Sequence, residues 1–145
     1  MKIVMQRVLK ASVTVDNTTI ATINRGLLVF LGAFAEDTEI MAEQLVDKMS
    51  KLRIFPDANG KSNLSALDVN AEVLVVSQFT LCADTKKGNR PSFAMAAPPD
   101  VANALYEHFV ELCRHKFAKV QTGIFAADMK VSLINDGPYT VVLEA

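Results

Sequence analysis

Three short segments of the sequence contain residues whose types and spacing suit chemistry. The first, residues 77–81, reads Ser-Gln-Phe-Thr-Leu and places two hydroxyls and a carboxamide at the end of an apolar run. Ser77, Gln78 and Thr80 are candidates to line the mouth of a pocket; the alternative is a strand end whose hydroxyls bond the neighbouring backbone. A nucleophilic Thr80 needs an adjacent base, and no histidine lies nearby in sequence. Cys82 is another candidate, but an isolated cysteine in an apolar segment usually packs in the core.

The second segment, residues 84–93, is locally basic. Three cations stand against one carboxylate in residues 84–90, a local charge of +2, whereas the whole chain carries −1. The cations are Lys86, Lys87 and Arg90. Such a loop suits phosphate groups, and an ordinary solvated loop is the alternative. A second small basic group has the same two interpretations; it comprises Lys48, Lys51 and Arg53.

The third segment, residues 135–140, contains Gly137-Pro138 between two apolar stretches. A Gly-Pro pair in this position predicts a turn. Bonds that precede proline are also the peptide bonds that most readily become cis, and glycine allows another backbone to approach closely. A cis Gly137-Pro138 would form a rigid elbow able to gauge the shape of a substrate. The sequence leaves the isomer open.

Composition limits the classes of protein that these segments can serve. The chain has 145 residues, 50% hydrophobic and 21% charged, which predicts one folded domain over residues 1–145. A net charge of −1 excludes a polybasic mode of nucleic-acid binding. Two cysteines are too few for a disulfide scaffold and predict reduced thiols in a cytoplasmic protein. With only two histidines and no C-x-x-C or H-E-x-x-H motif, we expect no metal or other cofactor. The longest apolar run, residues 26–35, is about half a membrane span, and the N-terminal residues lack a signal-peptide apolar region, so we expect no membrane association.

Hydrophobic periodicity predicts the elements that position these segments. We predict strands over 2–9, 12–15, 18–23, 26–34, 53–55, 72–78, 129–134 and 139–143, with a hairpin turn at Asp16-Asn17. One helix is predicted to begin at Asp37-Thr38 and a second at residues 98–100. Their buried stripes are predicted to be Met41, Leu45, Met49 and Leu52 in the first, and Val101, Leu105, Phe109 and Leu112 in the second. The fold class is α+β: a single domain with a mostly antiparallel, curled, barrel-like sheet and two main helices.

Taken together, the segments resemble the D-aminoacyl-tRNA deacylases, the D-tyrosyl-tRNA(Tyr) deacylase family. The motifs are SQFTL at 77–81, RPSF at 90–93, TGxFAADM at 122–129 and NDGPxT at 135–140. Further matches are QRV at 6–8, ASVTV at 11–15, GLLVFLG at 26–32 and RIFPD at 53–57, so the resemblance runs from end to end. One departure is Tyr139, where the family commonly has valine.

The resemblance implies a cytoplasmic homodimeric hydrolase that edits charged tRNA. Its substrates would be D-aminoacyl-tRNA and glycyl-tRNA(Ala), cleaved to the free amino acid and tRNA, while L-aminoacyl-tRNA stays intact. In this family the Gly-Pro bond is cis and enters the other subunit's pocket, so Gly137 and Pro138 would complete an active site at the subunit interface. Rigid carbonyls there would exclude an L side chain, whereas a D side chain points elsewhere and glycine has nothing to exclude.

The resemblance also implies roles for individual residues. Ser77, Gln78, Phe79 and Thr80 would line the adenosine and ester end of the substrate. Phe125 and Ala126 would supply backbone contacts near the substrate amine, Arg7 would brace the Gly137-Pro138 elbow, and Met129 would pack near it. Charge and location assign Lys86, Lys87 and Arg90 to the acceptor-stem phosphates.

Catalysis in the family resembles an RNA-assisted hydrolysis, in which the 2′-hydroxyl of the terminal adenosine helps to activate water. The alternative for the same reaction is Thr80 as the protein nucleophile. Two other classes stay open: a dimeric tRNA-binding module without turnover, and a Thr- or Cys-dependent esterase or peptidase that acts on substrates lacking RNA.

Overall fold

The structure is a computed structural model that describes residues 1–145. Its strands are β1 Lys2–Val15, β2 Thr18–Ile23, β3 Gly26–Gly32, β4 Phe55–Pro56, β5 Ser62–Leu64, β6 Glu72–Ser77, β7 Val120–Thr122 and β8 Lys130–Glu144. Its α-helices are α1 Glu39–Lys51 and α2 Pro99–Lys116, and a short 3-10 helix covers Phe79–Cys82. Neither α-helix combines the length and the apolar character that crossing a membrane requires.

Six of the strands form one mixed sheet in the order β2-β1-β3-β6-β7, with β8 paired to β1. The long strand β1 is antiparallel to β2, β3 and β8, whereas the β3–β6 and β6–β7 pairs are parallel. Parallel pairs need long crossovers, and α1 and α2 lie in the two segments that connect them. The predicted α+β class, with a barrel-like sheet and two main helices, is confirmed.

The sheet buries apolar side chains on both of its faces. One face carries residues such as Leu27, which belong to a core of 24 buried residues shared with both helices. The opposite face carries residues such as Leu28 and Leu74, in a smaller core of 8 buried residues. Because β3 is covered on both sides, it is an almost continuous apolar run, as its sequence predicts.

Several predicted boundaries change in the structure. The hairpin is confirmed: Asp16 and Asn17 have φ of 48° and 62°, the positive values that a tight two-residue turn requires. The strands predicted over 2–9 and 12–15 are one strand, β1. The short strand predicted over 53–55 lies instead at Phe55–Pro56. Two strands of three residues each, β5 and β7, were not predicted, because so short a run carries no measurable periodicity.

The apolar stripe of α2 also differs from the prediction. Val101 lies in the first turn and is 40% exposed, so its predicted burial is wrong. The buried residues of α2 are Leu105, Tyr106, Phe109, Val110 and Cys113. They form two adjacent rows of helical spacing, because α2 meets both the sheet and α1 and therefore buries a wider face than a single row.

The predicted turn at residues 135–138 is a bulge within one strand. Gln6 of β1 pairs with Thr140 of β8, and Val8 pairs with Asn135. Residues 136–139 therefore lie opposite a single β1 residue, Arg7, and protrude from the ladder. We call residues 136–139 the Gly-Pro bulge; the Gly137–Pro138 peptide bond within it is cis. The chain does not reverse here, and the strands predicted over 129–134 and 139–143 are one strand, β8.

Candidate active site

A largely apolar cavity of about 540 Å³ opens where β3 and β6 end. Because β3, β6 and β7 are parallel, their carboxyl ends and the loops that follow them meet at this edge, which is the usual location of a ligand site. Thirteen of its 17 lining residues are hydrophobic. The predicted site residues that line it are Ser77, Gln78, Phe79, Phe125, Ala126 and Met129.

The end of β6 places the polar groups at the mouth of this pocket. The Gln78 N–H donates to the Leu31 carbonyl over 2.7 Å, which extends the β3–β6 ladder by one bond beyond Ser77. The 3-10 helix then turns the chain outward, so Phe79 lines the pocket and is still 55% exposed.

Thr80 lies outside the pocket lining and has no base beside it. Its Oγ1 is 2.6 Å from the Gln78 side-chain nitrogen, which donates to it. Neither His108 nor His115 hydrogen-bonds to it. Cys82 is buried and donates its Sγ–H to the Ala33 carbonyl over 3.3 Å, and burial raises its pKa, so the reactive thiolate is disfavoured. Thr80 therefore has no base beside it within this chain, and the Cys82 thiol is buried and protonated.

The loop after β7 forms one wall of the pocket. The Gly123 N–H donates to the Val75 carbonyl over 3.1 Å, and a turn closes where the Ala127 N–H donates to the Ile124 carbonyl. Ala126, inside that turn, has a φ of +61°. The backbone N–H and C=O groups of Phe125 and Ala126 have no hydrogen-bond partner within the chain. They are available to a substrate at the pocket wall.

A second wall comes from α2 and from the segment before it, which the sequence analysis missed. Tyr106 is 7% exposed, and its hydroxyl donates to the Val75 carbonyl over 2.9 Å. Burial raises the pKa of Tyr106 to about 12. Its ring lies 6.1 Å from that of Phe125, centroid to centroid. The remaining residues of this wall are Ala96, Ala97, Pro99 and Ala102. Alanines and a proline carry no chemical signal in a sequence, although a buried tyrosine on an apolar helix face does.

Arg7 fastens one side of the Gly-Pro bulge. Its side chain is almost fully buried, and Nε donates to the Asp136 carbonyl over 2.9 Å while lying 3.2 Å from the Asp136 carboxylate. Nη1 donates to the Ile54 carbonyl. The guanidinium also lies 4.8 Å from the centre of the Tyr139 ring, a cation–π distance. One side chain thus ties the bulge to a separate part of the domain.

Asn135 closes the base of the same bulge. Its Oδ1 accepts the Tyr139 N–H over 2.6 Å, and its Nδ2 donates to Thr140 Oγ1 over 2.9 Å. Gly137, at the tip, has a φ of +146°, and a Cβ there would lie 3.0 Å from the Tyr139 nitrogen and 3.2 Å from Arg7 Nη2. The bulge is held at both ends, while Gly137 and Pro138 are exposed.

The pocket and the bulge do not meet within one chain. No residue from 136 to 139 is among the residues that line the cavity. Met129, expected near the Gly137-Pro138 elbow, lines the pocket. Arg7, Gly137 and Pro138 therefore stand apart from the six predicted residues that the pocket brings together, whereas Thr80 is outside the lining but bonded to Gln78.

The two basic groups differ in what they contact. The loop carrying Lys86, Lys87 and Arg90 is exposed, and none of the three forms an ion pair within the chain. In the second group, Lys51 pairs with Asp47 at 2.8 Å and Arg53 donates to the Asn63 carbonyl. Only the first group keeps all its cations free for a ligand.

The carboxylate on the pocket lining belongs to Asp128, which is exposed and paired with Lys130 at 2.9 Å. No group of three His, Cys, Asp or Glu side chains is arranged to hold a metal ion. The pocket therefore offers a substrate the Ser77 hydroxyl, the Gln78 amide, the Lys130-paired Asp128 carboxylate, free backbone groups and a large apolar surface.

Comparison with known proteins shows that the chain matches one protein family over nearly its full length. Residues 4–144 match the family model described as D-Tyr-tRNA(Tyr) deacylase. The chain is 57% identical to the D-aminoacyl-tRNA deacylase of Thermotoga petrophila, over 100% of this chain and 97% of the relative. It is 54% identical to the enzyme of the same name from Rhodopirellula baltica, over 99% of each.

Two solved structures superpose on the chain over nearly its full length. The c-Myc DNA Unwinding Element Binding Protein superposes with a TM-score of 0.95 at 43% identity, covering 100% of this chain and 99% of that one. A probable eukaryotic D-amino acid tRNA deacylase superposes with a TM-score of 0.88 at 17% identity, covering 99% and 98%, which shows a shared fold.

Proposed function

The chain belongs to the D-Tyr-tRNA(Tyr) deacylase family, and we propose that it hydrolyses the ester bond of D-aminoacyl-tRNA, releasing the D-amino acid and intact tRNA. One observation supports this most. The chain has an open apolar pocket, and its Gly-Pro bulge, which is fixed by hydrogen bonds, lies outside that pocket with Gly137 and Pro138 exposed. We place the reaction in the cytoplasm, where charged tRNA is used.

The active unit in this proposal is a homodimer. Gly137 and Pro138 of the partner subunit enter the pocket, so each site is completed by the other chain. Two observations support this arrangement. The bulge is exposed and absent from its own pocket, and β8 is a 15-residue strand paired only with β1 that exposes Ile134 and Val142. An exposed apolar edge of this length is normally covered.

Selection between D and L substrates then depends on excluded volume. The backbone carbonyls of the bulge occupy the space into which an L side chain would project, and Arg7 and Asn135 keep them from yielding. A D side chain points toward the apolar lining. Glycine has no side chain to exclude, so the proposal includes glycyl-tRNA(Ala) as a substrate.

Within the pocket, each end of the substrate has a matching surface. The terminal adenosine and the ester lie at the mouth, against residues 77–79. The substrate ammonium donates to the free carbonyls of Phe125 and Ala126, while the free N–H groups beside them face the ester carbonyl. These contacts use backbone atoms, so they hold any D-amino acid alike. The acceptor-stem phosphates lie along Lys86, Lys87 and Arg90.

Hydrolysis in this proposal uses the 2′-hydroxyl of the terminal adenosine. That hydroxyl helps to deprotonate a water molecule, which attacks the ester carbonyl carbon; the bond from that carbon to the ribose oxygen breaks, and the ribose oxygen takes the proton. The position of Thr80 supports this reading, because its hydroxyl is bound to the Gln78 amide and has no base.

A tRNA that ends in 2′-deoxyadenosine separates the two catalytic schemes. We expect D-tyrosyl-tRNA with this terminus to be a poor substrate, while Thr80→Ser and Thr80→Ala keep most of the wild-type kcat on the normal substrate. Full activity on the deoxy substrate, with loss of activity in Thr80→Ala, would make Thr80 the nucleophile.

A second candidate is a dimeric tRNA-binding module without turnover, and the unpaired cations of the basic loop favour it. Multiple-turnover release of D-tyrosine from D-tyrosyl-tRNA by catalytic amounts of protein, in EDTA, tests the choice. We expect many product molecules per site. Binding of uncharged tRNA without ester loss would favour the module, and hydrolysis of simple esters lacking RNA, abolished in Thr80→Ala or Cys82→Ala, would indicate a general esterase.

A further inference from the structure

An exposed aromatic pair lies beside the mouth of the pocket. Phe79 and Phe93 are 55% and 37% exposed, and their ring centroids are 5.0 Å apart with a 64° angle between the planes. Phe79 lines the pocket and Phe93 does not. The pair therefore extends an apolar, aromatic surface from the pocket outward over the protein exterior.

The basic loop is joined directly to this pair. Asp84 and Ser92 exchange two backbone hydrogen bonds, of 2.8 and 2.9 Å, which close the loop at its base. Phe93 follows that closure by one residue, so the free cations of the loop lie on the same exposed segment as the Phe93 ring. Aromatic faces next to unpaired cations are the combination by which proteins bind single-stranded nucleic acid.

We propose that the Phe79–Phe93 pair is a stacking platform for the unpaired nucleotide that precedes the terminal adenosine, with the basic loop neutralising its phosphate. The inference rests on the proposed function, because it takes the terminal adenosine to lie at residues 77–79. Successive bases along a strand are about 3.4 Å apart, so the next base comes within reach of the Phe93 ring. Stacking accepts any base, which suits a binding surface shared by many tRNAs.

Charge favours a nucleotide over a protein on this surface. A protein surface laid on the rings would strip Lys86, Lys87 and Arg90 of water, which is unfavourable unless an anion meets them. A phosphate supplies that anion. The pair and the loop therefore fit one occupant with both an aromatic and an anionic part.

Short esters of increasing length test the platform. The probes are D-tyrosyl adenosine, D-tyrosyl CpA and D-tyrosyl CpCpA, with full D-tyrosyl-tRNA as the reference. Phe93→Ala and Phe93→Leu remove the aromatic face, Phe93→Trp keeps it, and Met95→Ala is the matched control because Met95 is exposed on the same segment and outside the pair.

We expect kcat/KM of the wild type to rise from the adenosine ester to the dinucleotide ester. Phe93→Ala and Phe93→Leu should remove about tenfold of that gain, Phe93→Trp should retain it, and Met95→Ala should match the wild type on every ester.

Three results would overturn the platform. They are equal loss on all esters in Phe93→Ala, no gain with length in the wild type, or conversion of Phe93→Ala to a monomer by light scattering, which would show that a second copy covers the rings. Failure of the proposed function is distinct, because the wild type would then hydrolyse neither the short esters nor D-tyrosyl-tRNA.

Discussion

The pocket and the Gly-Pro bulge are built in opposite ways. The pocket is lined mostly by apolar side chains from several segments, so its inner surface offers contacts that have no fixed direction. The bulge is four residues, with Gly137 and Pro138 exposed, held by the hydrogen bonds of two side chains, Arg7 and Asn135. Apolar lining side chains can pack against ligands of varied shape, whereas a bulge backbone that is fixed by hydrogen bonds keeps its position. In the proposed function, the pocket accepts the substrate and the bulge rejects its L isomer.

The different roles proposed for the bulge and the pocket can be tested by mutation. Changes in the bulge should alter the ratio of D to L hydrolysis. Changes in the pocket or on the basic loop should alter affinity or rate for every substrate alike.

The largest effect is expected from Gly137→Ala. The φ of +146° disfavours alanine, and its Cβ would press on the Tyr139 nitrogen and on Arg7, so the bulge must shift. We expect the D-to-L ratio of kcat/KM to decrease by a factor of about 10 to 100, because the bulge has to relieve a strain of about 1–3 kcal/mol. Gly60→Ala is the control, because Gly60 has a φ of +77° with nothing within 4 Å of its Cβ. An unchanged ratio in Gly137→Ala would refute a gauge at the bulge.

A smaller effect, without any change in selectivity, is expected from replacing Lys86, Lys87 and Arg90 together by alanine. If each meets a phosphate, kcat/KM on D-tyrosyl-tRNA should fall about tenfold at low salt, and the slope of its logarithm against log salt should decrease by about 2. Replacement of Lys48, Lys51 and Lys61 gives the same change in net charge elsewhere and should leave the slope alone. A slope shared by the two triple variants would place the tRNA on another surface.

Gly123→Ala should change the KM for D substrates by a few-fold only. Its Cβ would lie 2.4 Å from the Met129 sulfur, the end of a flexible side chain that can move into the cavity. We expect KM for D substrates to rise several-fold with an unchanged D-to-L ratio, because overpacking at such a site costs about 1 kcal/mol. Adding Met129→Ala should restore KM. A changed ratio in Gly123→Ala would mean that the pocket wall takes part in rejection.

The smallest effect is expected from Tyr106→Phe, because ionisation of the Tyr106 phenol changes the free energy of unfolding only well above neutral pH. Burial raises its pKa to about 12 in the folded protein, against about 10 when unfolded, so the neutral phenol is favoured by folding. Its contribution to the free energy of unfolding is complete below pH 10 and lost as the pH rises toward 12, on the order of 2 kcal/mol. Denaturant unfolding across this range should show a shallower loss in Tyr106→Phe than in the wild type. Cys113, whose pKa burial also raises to about 12, contributes in the same direction in both proteins. Parallel loss in the two proteins would contradict the burial of Tyr106.

The local elements could be predicted because their signals are local. The positive φ angles at Asp16 and Asn17 are those that Asp-Asn pairs favour in hairpins, and β3 is apolar because both of its faces are covered. The first helix begins after Thr38, as predicted, and buries Leu45 and Met49.

Local patterns predicted a turn at residues 135–138 and missed the bulge, because its cause is distant in sequence; only the family resemblance implied a cis Gly137-Pro138 elbow braced by Arg7. A Gly-Pro pair signals a break in a strand, but only the pairing of both flanking stretches with β1 distinguishes a bulge from a reversal. Arg7, which fastens the bulge, is about 130 residues away.

The same reasoning applies to the site. Ser77 to Phe79 and the 125–129 loop carry recognisable motifs, and the structure brings them to one cavity. The wall formed by Ala96, Ala97 and Ala102 carries none. Its position follows from where α2 docks, which depends on the whole core.

The most direct test of the account measures deacylation of matched D- and L-tyrosyl-tRNA, in EDTA, by the wild type and Gly137→Ala. We expect the wild type to hydrolyse only the D ester, and Gly137→Ala to lower that preference about tenfold to a hundredfold while Gly60→Ala retains it. Equal decay of both esters with the wild type, or full preference retained in Gly137→Ala, would contradict the claim that the bulge rejects the L substrate.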